Sequence, residues 1–169
     1  MSRKRSFPHV TDANTRILIL GSLPGEASLA QSEYYAHPQN KFWKLVGDVI
    51  GLELQKFAYE ARLVALLEHR IGLWDVIANA KRVGSLDSQI REYTNNDLLA
   101  LIDTLPDLNT IAFNGVTASK IGLKALGEQA QQYRILLLPS SSPAHATLSY
   151  MQKLDTWRTL TPPSVNKSN

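Results

Sequence analysis

Cysteine is absent from this 169-residue chain, and several chemistries go with it. There can be no disulfide framework, cysteine nucleophile, cysteine-ligated iron–sulfur cluster or cysteine-containing zinc site. Long apolar runs are also lacking. No stretch approaches the length that crosses a bilayer, and the opening "MSRKRSFPHV" has no apolar core of signal-peptide length. A cytoplasmic location with no membrane partner is therefore expected. Net charge is small, with 18 Lys plus Arg against 15 Asp plus Glu, so composition permits a polyanionic partner without demanding one. No internal repeat is visible, and one domain accounts for the length.

The missing motifs are equally selective. "GSLPG" (21–25) lacks the Gly-Lys-Ser/Thr ending of a Walker loop and the three-glycine spacing of a dinucleotide fingerprint. His9, His37, His69 and His145 show no paired spacing suited to a metal, and the H-x-E with P-C-x-x-C signature of zinc deaminases is absent. No serine sits in a G-x-S-x-G elbow, and Ser140, Ser141 and Ser142 have only His145 nearby as a base. Nucleotide hydrolysis, metal catalysis and a serine hydrolase triad are disfavoured, and neither metal nor cofactor is expected.

What is present is alternation. "RILILG" (16–21), "LWDVI" (73–77), "TIAFNG" (110–115) and "YRILLLP" (133–139) read as short buried strands of the parallel type. Helical patterns separate them: "NKFWKLVGDVI", "YEARLVALLEHR", "NDLLALIDTL" and "VTASKIGLKAL", with "TLSYMQKLDTWRTL" closing the fold. The order predicts a three-layer α/β/α domain over 16–160 with a central, mostly parallel sheet of about four strands. A basic arm (1–15) precedes it and a polar tail (161–169) follows. Right-handed crossovers put the functional loops at the carboxyl ends of the strands. Three of these, "GSLPGEAS", "NGVTAS" and "PSSSPAHA", are small and polar. Such loops let backbone N–H groups approach phosphate oxygens or a base carbonyl that gains negative charge, although the same residues also make plain strand-to-helix turns.

"YYAHPQNKFW" (34–43) crowds flat and polar side chains at the entrance of a helix. Asn40 can cap a helix starting at Lys41, or it can hold a ligand. Phe42 and Trp43 suit the core face of that helix, whereas adjacent Tyr34 and Tyr35 are hard to bury together, so one is expected to wall a pocket. His37 beside Pro38 fits a turn. His145 follows a serine run, where a core histidine is not expected.

Together, "LILGSLPGEAS", "YYAHPQNKFWKLVGDVIG", "LWDVI" and "LPSSSPAHA" resemble the uracil-DNA glycosylase superfamily over about residues 16–160, and most of all its hypoxanthine-DNA (deoxyinosine) glycosylase branch. Mismatch-specific uracil glycosylases have a similar "HPxNxFW" segment but carry an asparagine in the first motif that "GSLPG" lacks. The resemblance implies that Asn40 takes the catalytic role and that the serine-rich segment grips the DNA backbone and the flipped base. Leu138 stands where the uracil enzymes have the leading histidine of that segment, so His145 does not inherit its role.

Breaking an N-glycosidic bond builds positive charge on the sugar and negative charge on the departing base, which calls for a positioned water and hydrogen-bond donors. Asn40 is then expected to orient the water. Gly21, Ser22, Leu23, Pro24 and Gly25, with Tyr35, His37 and Phe42, are expected to form the base pocket. In it, backbone donors around Ser22 and Leu23 meet the leaving base, and Tyr35 and Phe42 wall it. Ser140, Ser141, Ser142, Pro143, His145 and Lys41 are the expected DNA contacts, with Lys44 and Arg3 as further phosphate ligands. No lysine is placed for Schiff-base chemistry. The expectation is a monomeric, monofunctional glycosylase acting on DNA that carries a deaminated base. The alternatives are a uracil or mismatch glycosylase, or a silent DNA- or nucleotide-binding module.

Overall fold

In the computed structural model, which describes residues 3–161, the strands in chain order are β1 (Lys4–Arg5), β2 (Ile17–Gly21), β3 (Ile71–Asp75), β4 (Ile77–Lys81), β5 (Arg91–Asn95), β6 (Thr110–Asn114) and β7 (Arg134–Leu138). The α-helices are α1 (Glu26–Gln31), α2 (Phe42–Ile50), α3 (Tyr59–Glu68), α4 (Leu98–Asp103), α5 (Val116–Leu126) and α6 (Tyr150–Trp157). None of these helices is long and apolar enough to cross a membrane.

β3, β2, β6 and β7 lie side by side in that order, all parallel. β2 is apolar throughout because both of its faces are covered. Leu18, Ile19 and Leu20 are fully buried, and strand alternation sends them to opposite sides of the sheet. Ile19 packs with Phe42, Trp43, Leu66 and Trp157 from α2, α3 and α6, while Leu18 and Leu20 pack with Leu98, Leu101, Ala118 and Leu126 from α4 and α5. This is the expected three-layer α/β/α arrangement. Because β3 and β6 flank β2 on opposite sides, the chain reverses its direction across the sheet there and opens a crevice at the carboxyl ends.

Three features depart from the sequence reading. "LWDVI" is not one strand: β3 ends at Asp75, and β4 enters a second, antiparallel sheet of order β1-β4-β5. The bend is clamped by Asn96, whose Nδ2 donates to the carbonyls of Asp75 (2.7 Å) and Ile77 (3.2 Å). Val76 and Ile77 are fully buried, so the apolar run continues through the bend and does not mark it. β5 is exposed along its whole length and carries no apolar signal at all. Finally, residues 3–15 are not an arm but part of the domain. β1 pairs with β4, Val10 bridges Leu73, Phe7 meets Tyr34 edge-on at 5.3 Å, and Thr15 is fully buried. Residues 1–2 and, in the tail, 162–169 lie outside the described residues.

The α5 layer sits close on β6. A Cβ at Gly122 would come within 2.2 Å of Phe113 Cε1, and the Phe113 ring is fully buried. Gly122→Ala is expected to cost about 1–3 kcal/mol, read as a lower urea midpoint with an unchanged denaturant slope.

Candidate active site

The crevice holds a cavity of about 490 Å³, within the roughly 300–1,000 Å³ span of ligand clefts. All four parallel strands contribute their carboxyl ends to it, through Gly21 of β2 and Ser22 just after it, Asp75 of β3, Asn114 of β6 and Ser140 after β7.

The segment "YYAHPQNKFW" divides its aromatics between core and cavity. Tyr34 belongs mainly to the core and only borders the cavity: its hydroxyl donates to the Pro8 carbonyl (3.0 Å), its N–H donates to Tyr59 Oη (2.9 Å), and its carbonyl accepts from Trp43 Nε1 (3.0 Å). Tyr35 lines the cavity from a left-handed backbone conformation, φ 55°, which costs an L-residue about 1–2 kcal/mol. Its ring lies flat on Phe42, with centroids 3.9 Å apart and planes 16° apart. Phe42 itself is fully buried and does not line the cavity, contrary to the expectation that it walls the base. The apolar face of α2 turns it edge-on to Trp43 and Trp157, so it backs Tyr35 instead.

Helix α2 begins at Phe42, one residue later than expected, and Asn40 Oδ1 accepts the Phe42 N–H at 2.9 Å. Only the carbonyl oxygen of the amide can make that bond, so the bond fixes which way the amide faces. Asn40 therefore secures the helix entrance and also lines the cavity, with Nδ2 and a second Oδ1 lone pair left over. His37 lines the cavity too. Its Nδ1 accepts the Gln39 N–H at 3.1 Å, so the neutral ring carries its proton on Nε2.

Gly21, Ser22, Leu23, Pro24 and Gly25 all line the cavity. The carbonyls of Gly21 and Ser22 accept from the N–H groups of Val76 (2.8 Å) and Ile77 (3.2 Å), while the N–H groups of Ser22 and Leu23 find no backbone acceptor among the described residues. The β4–β5 connection clasps this loop from outside. Arg82, 1 % exposed, donates through Nη2 to the Pro24 carbonyl and through Nε to the Gly84 carbonyl, both at 2.6 Å. Ser85 Oγ accepts the Glu26 N–H (2.8 Å), and Ser22 Oγ donates to Asp87 (2.7 Å). Ser85, Leu86 and Asp87 complete that wall.

At the cavity floor, Asp75 is 3 % exposed. Its Oδ2 and the Tyr35 hydroxyl are buried without a hydrogen-bond partner among the described residues. A Cβ on Gly21 would fall 2.6 Å from Asp75 Oδ1 and 2.7 Å from Tyr35 Oη, so both groups converge on this glycine. Burial, reinforced by the charge of Asp87 and opposed by that of Arg82, pushes the Asp75 carboxyl up to about 7. Burial likewise pushes the Tyr35 hydroxyl up.

The serine segment has a hidden strut. Asn114 Nδ2 donates to Ser141 Oγ and Asn114 Oδ1 accepts the Ser141 N–H, each at 2.9 Å. Ser141 lines the cavity but is 1 % exposed, with its hydroxyl and N–H engaged by Asn114, so it holds the serine loop in place where a DNA contact is expected. Its carbonyl accepts the Lys41 N–H at 3.0 Å, which ties the serine loop to the start of α2. Ser140, Ser142, Pro143 and His145 line the cavity. The exposed Lys41 lies outside the lining but beside this loop. Lys44 is engaged with Asp48 (3.4 Å) and the Tyr150 ring (4.1 Å), and Arg3 with Asn79 (2.7 Å) and the Glu92 carbonyl, and neither lines the cavity. No cluster of three His, Asp or Glu side chains suited to a metal occurs among the described residues.

The sequence profile of the uracil DNA glycosylase superfamily matches residues 7–161. The chain belongs to this superfamily. Two similar proteins carry the name hypoxanthine DNA glycosylase. One, from Methanosarcina acetivorans, is 46 % identical over 148 residues, covering 86 % of this chain and 90 % of its own. The other, from Methanosarcina barkeri, is 43 % identical over 145 residues, covering 85 % and 89 %. A solution NMR structure of a candidate uracil DNA glycosylase from Methanosarcina acetivorans superimposes with a TM-score of 0.82 at 42 % identity, covering 94 % of this chain and 99 % of that one. In this glycosylase the residues that sequence reading passed over are Asp75, Asn114 and the 82–87 wall. Asp75 had a signal, a carboxylate interrupting an apolar strand. Asn114 stood at the head of "NGVTAS". The wall had none.

Proposed function

We propose that this glycosylase hydrolyses the N-glycosidic bond of deoxyinosine in DNA and releases hypoxanthine. The observation that carries the reading is the placement of the Asn40 amide in one cavity with Tyr35, Asp75 and the "GSLPG" loop; the two relatives named hypoxanthine DNA glycosylase support the choice of base. A deaminated base pairs poorly and is cheaper to extrude than a normal one. Once flipped, it lies against the Tyr35 ring. Asn40 orients a water toward C1′, and the Ser22 and Leu23 N–H groups meet charge arriving on the base. No lysine among the described residues lines the cavity, so this reading has no Schiff base and leaves the abasic strand intact. The enzyme is taken to act as a monomer.

The test is an abasic-site assay on duplexes carrying inosine, uracil, xanthine or only normal bases. Cleavage at inosine after alkali is the expected result. Intact inosine with uracil removed would replace this reading by a uracil glycosylase, and four intact duplexes would leave only a binding module. DNA affinity is expected to fall roughly tenfold or more between about 50 and 200 mM salt, because phosphate contacts lead binding. Lys41→Ala should flatten that salt slope by about one contact. A slope unchanged in Lys41→Ala would place the contact elsewhere.

A further inference from the structure

A water and backbone donors meet part of the charge that develops, and a purine that also gains a proton departs more readily. Three carboxylates line the cavity, Glu26, Asp75 and Asp87, and only Asp75 is buried. We infer that Asp75 is a catalytic acid, whose carboxyl at the cavity floor beside Gly21 gives its proton to N7 of the flipped hypoxanthine as the C1′–N9 bond breaks. This deepens, and rests on, the reading of the site as a hypoxanthine glycosylase.

The geometry asks for a neutral carboxyl. Oδ2 is buried and unpartnered; Arg82 has its Nε and Nη2 committed to the carbonyls of Gly84 and Pro24, and its Nη1 is buried with no hydrogen-bond partner among the described residues, so it makes no bond to Asp75. The charged and titratable groups that act on Asp75 are Asp87, which disfavours its ionisation, and Arg82, which favours it. Tyr35, converging on the same glycine, and Tyr34 behind it are uncharged hydroxyls. A carboxyl held up to about 7 is protonated often enough at neutral pH to donate and is weak enough to recover its proton.

The step balances. The bonding pair of C1′–N9 goes to the purine, which takes the Asp75 proton at N7, its most basic ring nitrogen, and departs as neutral hypoxanthine. The water held at Asn40 adds its oxygen to C1′. The proton that water sheds returns through solvent to the Asp75 carboxylate, so the enzyme is regenerated with one water consumed.

The test uses single-turnover excision from about pH 5 to 9, by wild type and Asp75→Asn, on duplexes carrying deoxyinosine or 7-deaza-2′-deoxyinosine, in which N7 is a C–H. Wild type should excise deoxyinosine at a rate that falls about tenfold per pH unit above about 7. Asp75→Asn should lose about a hundredfold at pH 6 and lose that descending limb, while lesion binding and melting persist. The deaza substrate should be slow with wild type and should respond to Asp75→Asn by less than about threefold, because the proton then has nowhere to go. The pH limb and the deaza substrate read the acid in wild type, whatever the variant's folding. Asp75→Asn keeping its rate and its pH limb, or slowing both substrates by the same factor, would show that Asp75 only contacts the base, and the acid assignment would fall. If wild type released nothing from deoxyinosine at any pH, the hypoxanthine reading itself would be the error, and the acid would fall with it.

Discussion

Asn40→Ala is expected to slow single-turnover excision of deoxyinosine by about a hundredfold or more and to destabilise the protein by only about 1 kcal/mol. The two effects have separate origins in one side chain. Oδ1 holds the Phe42 N–H at the head of α2, and the rest of the amide faces the cavity. Alanine removes both. Asn40→Ser separates them, since a serine hydroxyl can accept from an N–H two residues on but is too short to hold water at C1′ and has no amide. Melting should recover in Asn40→Ser and the rate should not. Recovery of both would reduce Asn40 to a tie for α2 and send the search for the hydrolytic centre to Ser22 and His145.

Gly21→Ala should cost at least tenfold in excision with the fold retained. Its methyl would land 2.6 Å from Asp75 Oδ1 and 2.7 Å from Tyr35 Oη, too near for either to stay. Tyr35 has little room to retreat, because Phe42 lies 3.9 Å behind its ring, so relief comes by moving into the space a base would fill. The overpacking itself should cost about 1–3 kcal/mol. Lesion-duplex binding and excision should therefore weaken together, whereas Asn40→Ala is expected to lose excision and keep binding. A wild-type rate in Gly21→Ala would mean that the base never reaches this floor.

The parallel sheet was legible because burial on both faces forces continuous apolar runs such as "RILILG", and because its helices carry regular apolar spacing. The small sheet was not. β5 is exposed throughout and is held by pairing with β4 rather than by an apolar face. The cavity's loops could be picked out as small polar ends of strands. Which aromatic of "YYAHPQNKFW" faces inward could not, because that depends on the left-handed turn at Tyr35 and on the orientation of α2. Asp75 hid inside a run read as one strand. Its importance comes from where the chain leaves the main sheet, a tertiary event that no local pattern encodes. Arg82 and Ser85 are similar: they act on a loop about sixty positions away.

The buried carboxyl at the cavity floor also sets a tension between endurance and chemistry. In the unfolded chain Asp75 would lose its proton near its ordinary value of 3.8, whereas the folded protein keeps it to about 7. Over that interval unfolding releases a proton, so the contribution of Asp75 to stability is full below about 4, declines as pH rises, and is gone above about 7. The difference is at most roughly 4 kcal/mol, a large part of the margin of a single domain. Selection for heat resistance alone, applied at alkaline pH, would thus favour replacing Asp75 by a neutral residue such as asparagine. The survivors would be sturdier proteins that had given up the proton donor.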